Sequence, residues 1–83
     1  MNDDPITFSS AVPIPVSPNP GTTLTFNGIR NDTDNIAALY ITPVRNQDSE
    51  QFVIILQSGQ TVPIKVRYSQ VLSKGTGNVN GLL

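Results

Sequence analysis

The chain contains neither cysteine nor histidine. Without cysteine it has no disulfide and no thiolate zinc site, and without histidine it lacks the commonest metal ligand and the one side chain that titrates near neutral pH. Most familiar hydrolytic and metal chemistry depends on these groups. We therefore expect a protein that is not an enzyme and has no catalytic residue, no cofactor and no bound metal.

Runs of one charge and long apolar runs are also missing. Five basic and six acidic residues give a formal charge of −1 without a basic stripe, so nucleic acid is not an expected partner. No apolar run approaches the ~20 residues that cross a bilayer, so a membrane is not an expected partner either. Asp3 and Asp4 stand where a secretion signal would carry positive charge, and we expect synthesis in the cytoplasm.

The length of 83 residues sets a limit on stability. A domain of this size buries only roughly 60% of the surface that its unfolded chain exposes. Apolar burial then offsets the entropy cost of ordering the chain only narrowly, and oligomerisation is one usual remedy. The size therefore predicts one domain with a thin core.

Residues 1–20 contain five of the seven prolines. Proline cannot donate to a sheet ladder, so this region is predicted to be an extended arm or a sheet edge, separate from a β domain at 21–83. One interpretation is a flexible leader. The other is an arm that lies on a neighbouring subunit, because a purely solvated tail rarely carries so many apolar residues. Its contact residues would be Ile6, Phe8, Val12, Ile14 and Val16.

The rest of the chain has the patterns of short strands. Apolar and polar residues alternate between turn signals, and helical periodicity is nowhere sustained. Ser58-Gly59 predicts a tight hairpin that joins two of these strands. We expect an all-β fold, a small antiparallel sandwich or barrel of about six short strands. The predicted strands are 22–26, 36–44, 52–56, 61–68 with a continuation at 70–72, and 79–82.

The most apolar segment, residues 52–56, breaks the alternation. Phe52, Ile54 and Leu56 occupy one face, while Val53 and Ile55 occupy the other. A small sandwich normally leaves one face of each sheet in water, so the second face requires a cover. The cover is either a partner subunit, with Val53 and Ile55 as interface residues, or the proline-rich arm.

Two short motifs and the serine and threonine hydroxyls invite a chemical interpretation. Asp32-Thr33-Asp34 resembles the start of a calcium loop but lacks its later glycine and glutamate, which favours a solvated turn. Gly75-Thr76-Gly77 lacks the Lys-Ser/Thr and the helix of a phosphate-binding loop, which favours a tight turn. A serine or threonine nucleophile would need Lys65 or Lys74 as its base, and nothing in the spacing pairs them.

The order of motifs in residues 30–83 carries a family resemblance. These motifs are Asn31-Asp32-Thr33, Ala38-Leu39-Tyr40-Ile41, Phe52 to Leu56, Ser58-Gly59, Pro63-Ile64-Lys65-Val66-Arg67, Val71-Leu72, Gly75-Thr76, Val79 and Leu82. In this order they resemble the small spike base proteins of tailed bacteriophages and gene-transfer agents, although Gly77 replaces a threonine and Leu83 an aromatic residue. The proline-rich arm has no counterpart.

This resemblance implies a non-enzymatic virion protein, made in the host cytoplasm, that self-associates on the capsid surface as the base of a spike or fibre. Its partners would be further copies of itself and the major capsid protein, a spike protein or a fibre protein. A capsid cement or decoration protein would have the same features. An alternative from a different class is a carbohydrate-binding module, which would expose Tyr40 or Tyr68 beside polar side chains.

Overall fold

A computed structural model describes residues 10–47 and 49–83. Every regular element among these residues is a β-strand, which confirms the all-β prediction. None of the described residues forms a helix long and apolar enough to cross a membrane. The strands are β1 (Ala11–Pro13), β2 (Gly28–Asn31), β3 (Ala37–Pro43), β4 (Phe52–Leu56), β5 (Thr61–Val62), β6 (Val66–Ser73) and β7 (Val79–Leu82).

The strands form two antiparallel sheets that share one core. The larger sheet has the order β1-β7-β2-β5, and the smaller one has the order β4-β3-β6. Buried side chains from both sheets pack together, so the fold is a small antiparallel sandwich, one of the two architectures that the alternation predicts. The core cluster consists of Ile14, Phe26, Ile29, Ala37, Leu39, Ile41, Leu56, Val66, Val71 and Val79.

The proline-rich region belongs partly to this domain, which corrects the predicted boundary at residue 20. β1 pairs with β7, and the Ile14 N–H donates a 2.9 Å hydrogen bond to the Val79 carbonyl. Ile14 is 3% exposed and lies in the chain's own core, with Val12 and Val16 packed against it. Ile14 is therefore not an exposed subunit contact. Ile6 and Phe8 lie outside the described residues.

Residues 16–26 follow the edge of β6, which corrects the predicted strand at 22–26. Isolated bridges join Val16 to Val71, Thr22 to Ser69 and Phe26 to Val66. Backbone hydrogen bonds of 2.9–3.0 Å accompany the last two bridges. The segment therefore covers one edge of the smaller sheet without forming a regular strand.

The predicted hairpin at Ser58-Gly59 is wrong. Gly59 has a φ of 80°, as a turn requires, but β5 pairs with β2 of the other sheet and not with β4. Two backbone hydrogen bonds attach this turn to the end of β2: the Asn31 N–H donates to the Gln60 carbonyl, and the Gly59 N–H donates to the Asn31 carbonyl. The turn therefore carries the chain across the sandwich.

The predicted strand at 61–68 is divided into β5 and β6. Its break lies at Pro63, which lacks the N–H that a ladder needs. A register irregularity between Thr42 and Pro43 of the neighbouring β3 then shifts the alternation. Ser69 and Val71 consequently face the core after Val66, whereas Tyr68 is half-buried.

Candidate functional site: an exposed apolar strand at a sheet edge

The strand β4 carries the largest cluster of exposed apolar side chains among the described residues. In the pairing with β3, Val53 lies opposite Tyr40 and Ile55 opposite Ala38, so these side chains share the outer face of the sheet. Tyr40 is 38% exposed, Val53 52% and Ile55 56%. We call Tyr40, Val53 and Ile55 the β4 patch.

The opposite face of β4 follows the predicted division only in part. Leu56 is buried and Ile54 half-buried against the core, as expected for the inner row. Phe52, the third member of that row, is 51% exposed at the other end of the strand. Exposed apolar side chains thus occur on both faces of β4.

The described part of the proline-rich region, residues 10–20, does not cover the second face of β4, because Val53 and Ile55 are more than half exposed. Residues 16–26 lie along β6, on the far side of β3 from β4. No bridge joins the outer side of β4 to any residue of the described ranges. A partner subunit as the cover of Val53 and Ile55 stays a prediction.

A buried asparagine fixes the end of β4, and sequence reasoning missed it. The Asn31 amide nitrogen donates to the carbonyls of Asn35 at 2.8 Å and Leu56 at 3.1 Å. Its oxygen accepts from the Thr33 N–H at 3.0 Å and the Thr33 hydroxyl at 2.6 Å. Ser58 adds a 2.6 Å bond to the Thr33 carbonyl. The only available signal was the polar run 31–35, which also fits a solvated loop.

The carboxylates of the acidic motif at 32–34 accept hydrogen bonds from other residues of the same chain. Arg30 Nε donates to both Asp32 carboxylate oxygens at 2.7 and 2.9 Å, and Asn80 donates to one of them. Partial burial raises the pKa of Asp32, but the hydrogen bonds from Asn80 and Arg30 and the charge of Arg30 outweigh it, so the pKa is lowered. Asp34 accepts from the Thr76 N–H at 2.7 Å. No cluster of three acidic groups exists in residues 10–47 and 49–83.

The glycine-rich turn at 75–77 is filled by its own chain. Lys74 Nζ donates a 2.6 Å bond to the Gly77 carbonyl. A Cβ at Gly75 would lie 2.1 Å from Asp34 Oδ1, so the glycine permits the turn to pack on the acidic loop. The Thr76 N–H already donates to Asp34. These contacts describe a structural turn, in line with the interpretation that the missing Lys-Ser/Thr favoured.

A second feature is a surface pocket of about 460 Å³ beside Tyr68. A Cβ at Gly21 would lie 2.6 Å from the Tyr68 hydroxyl oxygen, so the tip of this ring is packed closely. The Arg67 guanidinium donates to the Asn46 carbonyl. The lining combines one aromatic ring with polar groups and consists of Thr23, Thr42, Gln51, Arg67 and Tyr68.

Comparison of the chain with protein-family models, curated proteins and solved structures returned no match. The resemblance to spike base proteins therefore stays a prediction that depends on motif order.

Proposed function

We propose that this chain is a non-enzymatic structural protein that self-associates through the β4 patch. The observation that carries the proposal is the exposure of Val53 and Ile55, each more than half accessible on a sheet face with no cover among the described residues. Contiguous exposed apolar surface of this kind marks interaction sites in soluble proteins. Self-association would also stabilise a small fold by mass action.

The composition of β4 supports a protein partner rather than a charged ligand. Gln51 to Gln57 contains no ionisable side chain, so the surface presents no charge that would repel a like surface. Tyr40 adds an aromatic ring, a residue type that is enriched at protein interfaces. These properties suit a contact between copies of one chain.

Self-association is tested by light scattering coupled to size-exclusion chromatography over a range of concentrations. Ile55→Lys places a charge in the patch and should weaken association by at least about tenfold, because a buried unpaired charge is costly. Leu24→Lys makes the same change at a side chain that is 49% exposed on the segment along β6, and it serves as the matched control. A wild-type chain that stays monomeric at millimolar concentration would refute the proposal.

We propose further that the association takes place on a capsid surface, where the oligomer is the base of a spike or fibre. The support is the resemblance of the motif order to that of spike base proteins, together with the apolar patch. A capsid cement or decoration protein is the alternative within the same class. Antibody labelling of particles released by cells that encode the chain tests for a virion protein, and a map of labelled particles separates a spike base from a lattice cement.

The Tyr68 pocket supports a second candidate function, glycan binding. Its lining pairs a ring with threonine, glutamine and arginine side chains, the mixture of apolar and polar groups that small-molecule sites use. Tyr40 fits a sugar platform less well, because Val53 and Ile55 surround it with aliphatic groups. NMR titration with neutral oligosaccharides should shift Tyr68 and Gln51 if the pocket binds sugar, and unchanged spectra would remove this candidate.

A further inference from the structure

The two sheets have four edges, and three of them are protected. β1 is three residues long and ends in Pro13, while β5 is two residues long and precedes Pro63. The β6 edge is covered by residues 16–26. Short strands, prolines and covering segments are the devices that keep sheet edges from pairing with other chains.

The fourth edge, β4, has none of these devices among the described residues. It is five residues long and contains no proline and no charge. Its pairing with β3 shows no register irregularity, so no bulge twists it away. An unprotected apolar edge of this kind is a template for pairing with a further strand.

The sequence of β4 and its flanks is nearly symmetric about Ile54. Reading outward from Ile54, Val53 is matched by Ile55, Phe52 by Leu56, and Gln51 by Gln57. Antiparallel pairing of two copies about a two-fold axis at Ile54 would therefore set each residue opposite one of similar chemistry. No charged pair would meet within this stretch, whereas like charges directly opposite each other are destabilising.

We propose that β4 pairs edge to edge with β4 of a second copy, antiparallel about a two-fold axis at Ile54. The inference rests on the proposed self-association and specifies its geometry. The two three-stranded sheets would become one continuous sheet through an isologous contact. This register also uses every residue of β4, whereas a shift of the axis to Val53 or Ile55 would leave part of the edge unpaired.

The pairing would join the two β4 patches into one surface. Side chains directly opposite each other lie on the same face of an antiparallel pair. Val53 of one copy would therefore lie beside Ile55 of the other, with Tyr40 and Ala38 at the two ends of that row. Val53 of one copy and Ile55 of the other would contact each other side by side, and the dimer would have a longer apolar outer face than one copy.

Residue-resolved amide hydrogen exchange of the full chain separates this geometry from other dimers. In a monomer, every second amide of β4 points away from β3 and exchanges quickly. In the proposed dimer, all amides from 52 to 56 should be protected, the outward ones slowing by more than about tenfold relative to the same chain diluted until it is monomeric. A dimer whose outward amides stay fast is stacked face to face, which overturns edge pairing but leaves self-association intact.

The register is tested with single-cysteine variants, since the native chain has no cysteine. A mixture of Val53→Cys and Ile55→Cys chains should be joined by a short thiol-reactive crosslinker faster than either variant alone. In the proposed register, residue 53 of one copy lies directly opposite residue 55 of the other, so two cysteines face each other only in a mixed dimer. Equal rates in all three samples would overturn the axis at Ile54. A chain that is monomeric in every sample would overturn the proposed function together with this inference.

Discussion

The two edges of the smaller sheet lie on either side of the same central strand, β3, and differ in how their hydrogen-bonding groups are used. Along β6, residues 16–26 supply isolated bridges and hydrogen bonds from the same chain. Along β4, no described residue does so. One edge is therefore completed within the molecule, and the other has no pairing segment among the described residues.

The side chains on the two edges follow the same division. Phe26, on the covering segment, is fully buried and pairs with Val66, whereas Phe52 at the open edge is half exposed. A chain of 83 residues can bury only part of its apolar surface. Here the N-terminal segment pairs with the β6 edge and contributes Ile14 and Phe26 to the core. Among the described residues, the unpaired edge of the smaller sheet is therefore confined to β4.

The largest expected effect compares the two phenylalanines. Phe26→Ala should destabilise the fold by about 3–5 kcal/mol, since it removes a fully buried ring, whereas Phe52→Ala should cost less than about 1 kcal/mol. Both are measured by denaturant unfolding at a concentration where the chain is monomeric. Phe26→Leu, which retains most of the apolar volume, is the milder control. Equal losses from Phe26→Ala and Phe52→Ala would show that the open edge is covered in the native state.

The next effect tests how closely the covering segment must approach β6. A Cβ at Gly21 would lie 2.5 Å from the Ser69 carbonyl oxygen, so Gly21→Ala should cost about 1–3 kcal/mol by overpacking. The amides of Val66 and Val71 should lose exchange protection while those of β4 stay unchanged. Gly59→Ala, which meets no atom within 4 Å, carries only a backbone penalty and is the comparator. Unchanged protection along β6 would contradict the close approach.

Local alternation was sufficient to predict the strands that lie within one sheet. β3, β4 and β7 fall where the sequence places them, and Leu39 and Ile41 face the core opposite Tyr40. In these segments the period of two coincides with the real burial pattern. The sequence also predicted apolar side chains on both faces of β4, but it did not show that β4 lies at a sheet edge.

The features that the sequence did not reveal depend on contacts distant along the chain. The glycine at position 59 is equally typical of a hairpin turn. The hydrogen bonds between Asn31 and this turn, which direct β5 to the other sheet, are not visible in the local sequence. The local sequence around Asn31 also does not distinguish a buried asparagine from a solvated one. The prolines correctly indicated an edge, but the sequence did not show that Ile14 would pack in the chain's own core.

A smaller effect concerns a buried hydroxyl under the covering segment. Ser69 is fully buried, and its Oγ has no hydrogen-bond partner among the described residues. Ser69→Ala should leave the free energy of unfolding unchanged or raise it by up to about 1 kcal/mol, because an unsatisfied buried group is removed. Ser73→Ala, at an exposed position of the same strand, should change it by less than about 0.5 kcal/mol. A clear loss of stability in Ser69→Ala would show that the hydroxyl has a partner.

The smallest effect separates fold stability from association by pH. The pKa of Asp32 is lowered in the folded chain, so its contribution to stability is present above the ordinary aspartate pKa and is lost as pH falls through the lower folded pKa. Because the Arg30 and Asp32 side chains are 40% and 35% exposed, solvent screens the pair; the loss should be below about 1 kcal/mol, and Asp32→Asn should abolish it. Denaturant unfolding over this acid range measures it. Association through β4 should stay constant there, since Gln51 to Gln57 does not titrate, and a parallel loss would place ionisable groups in the interface.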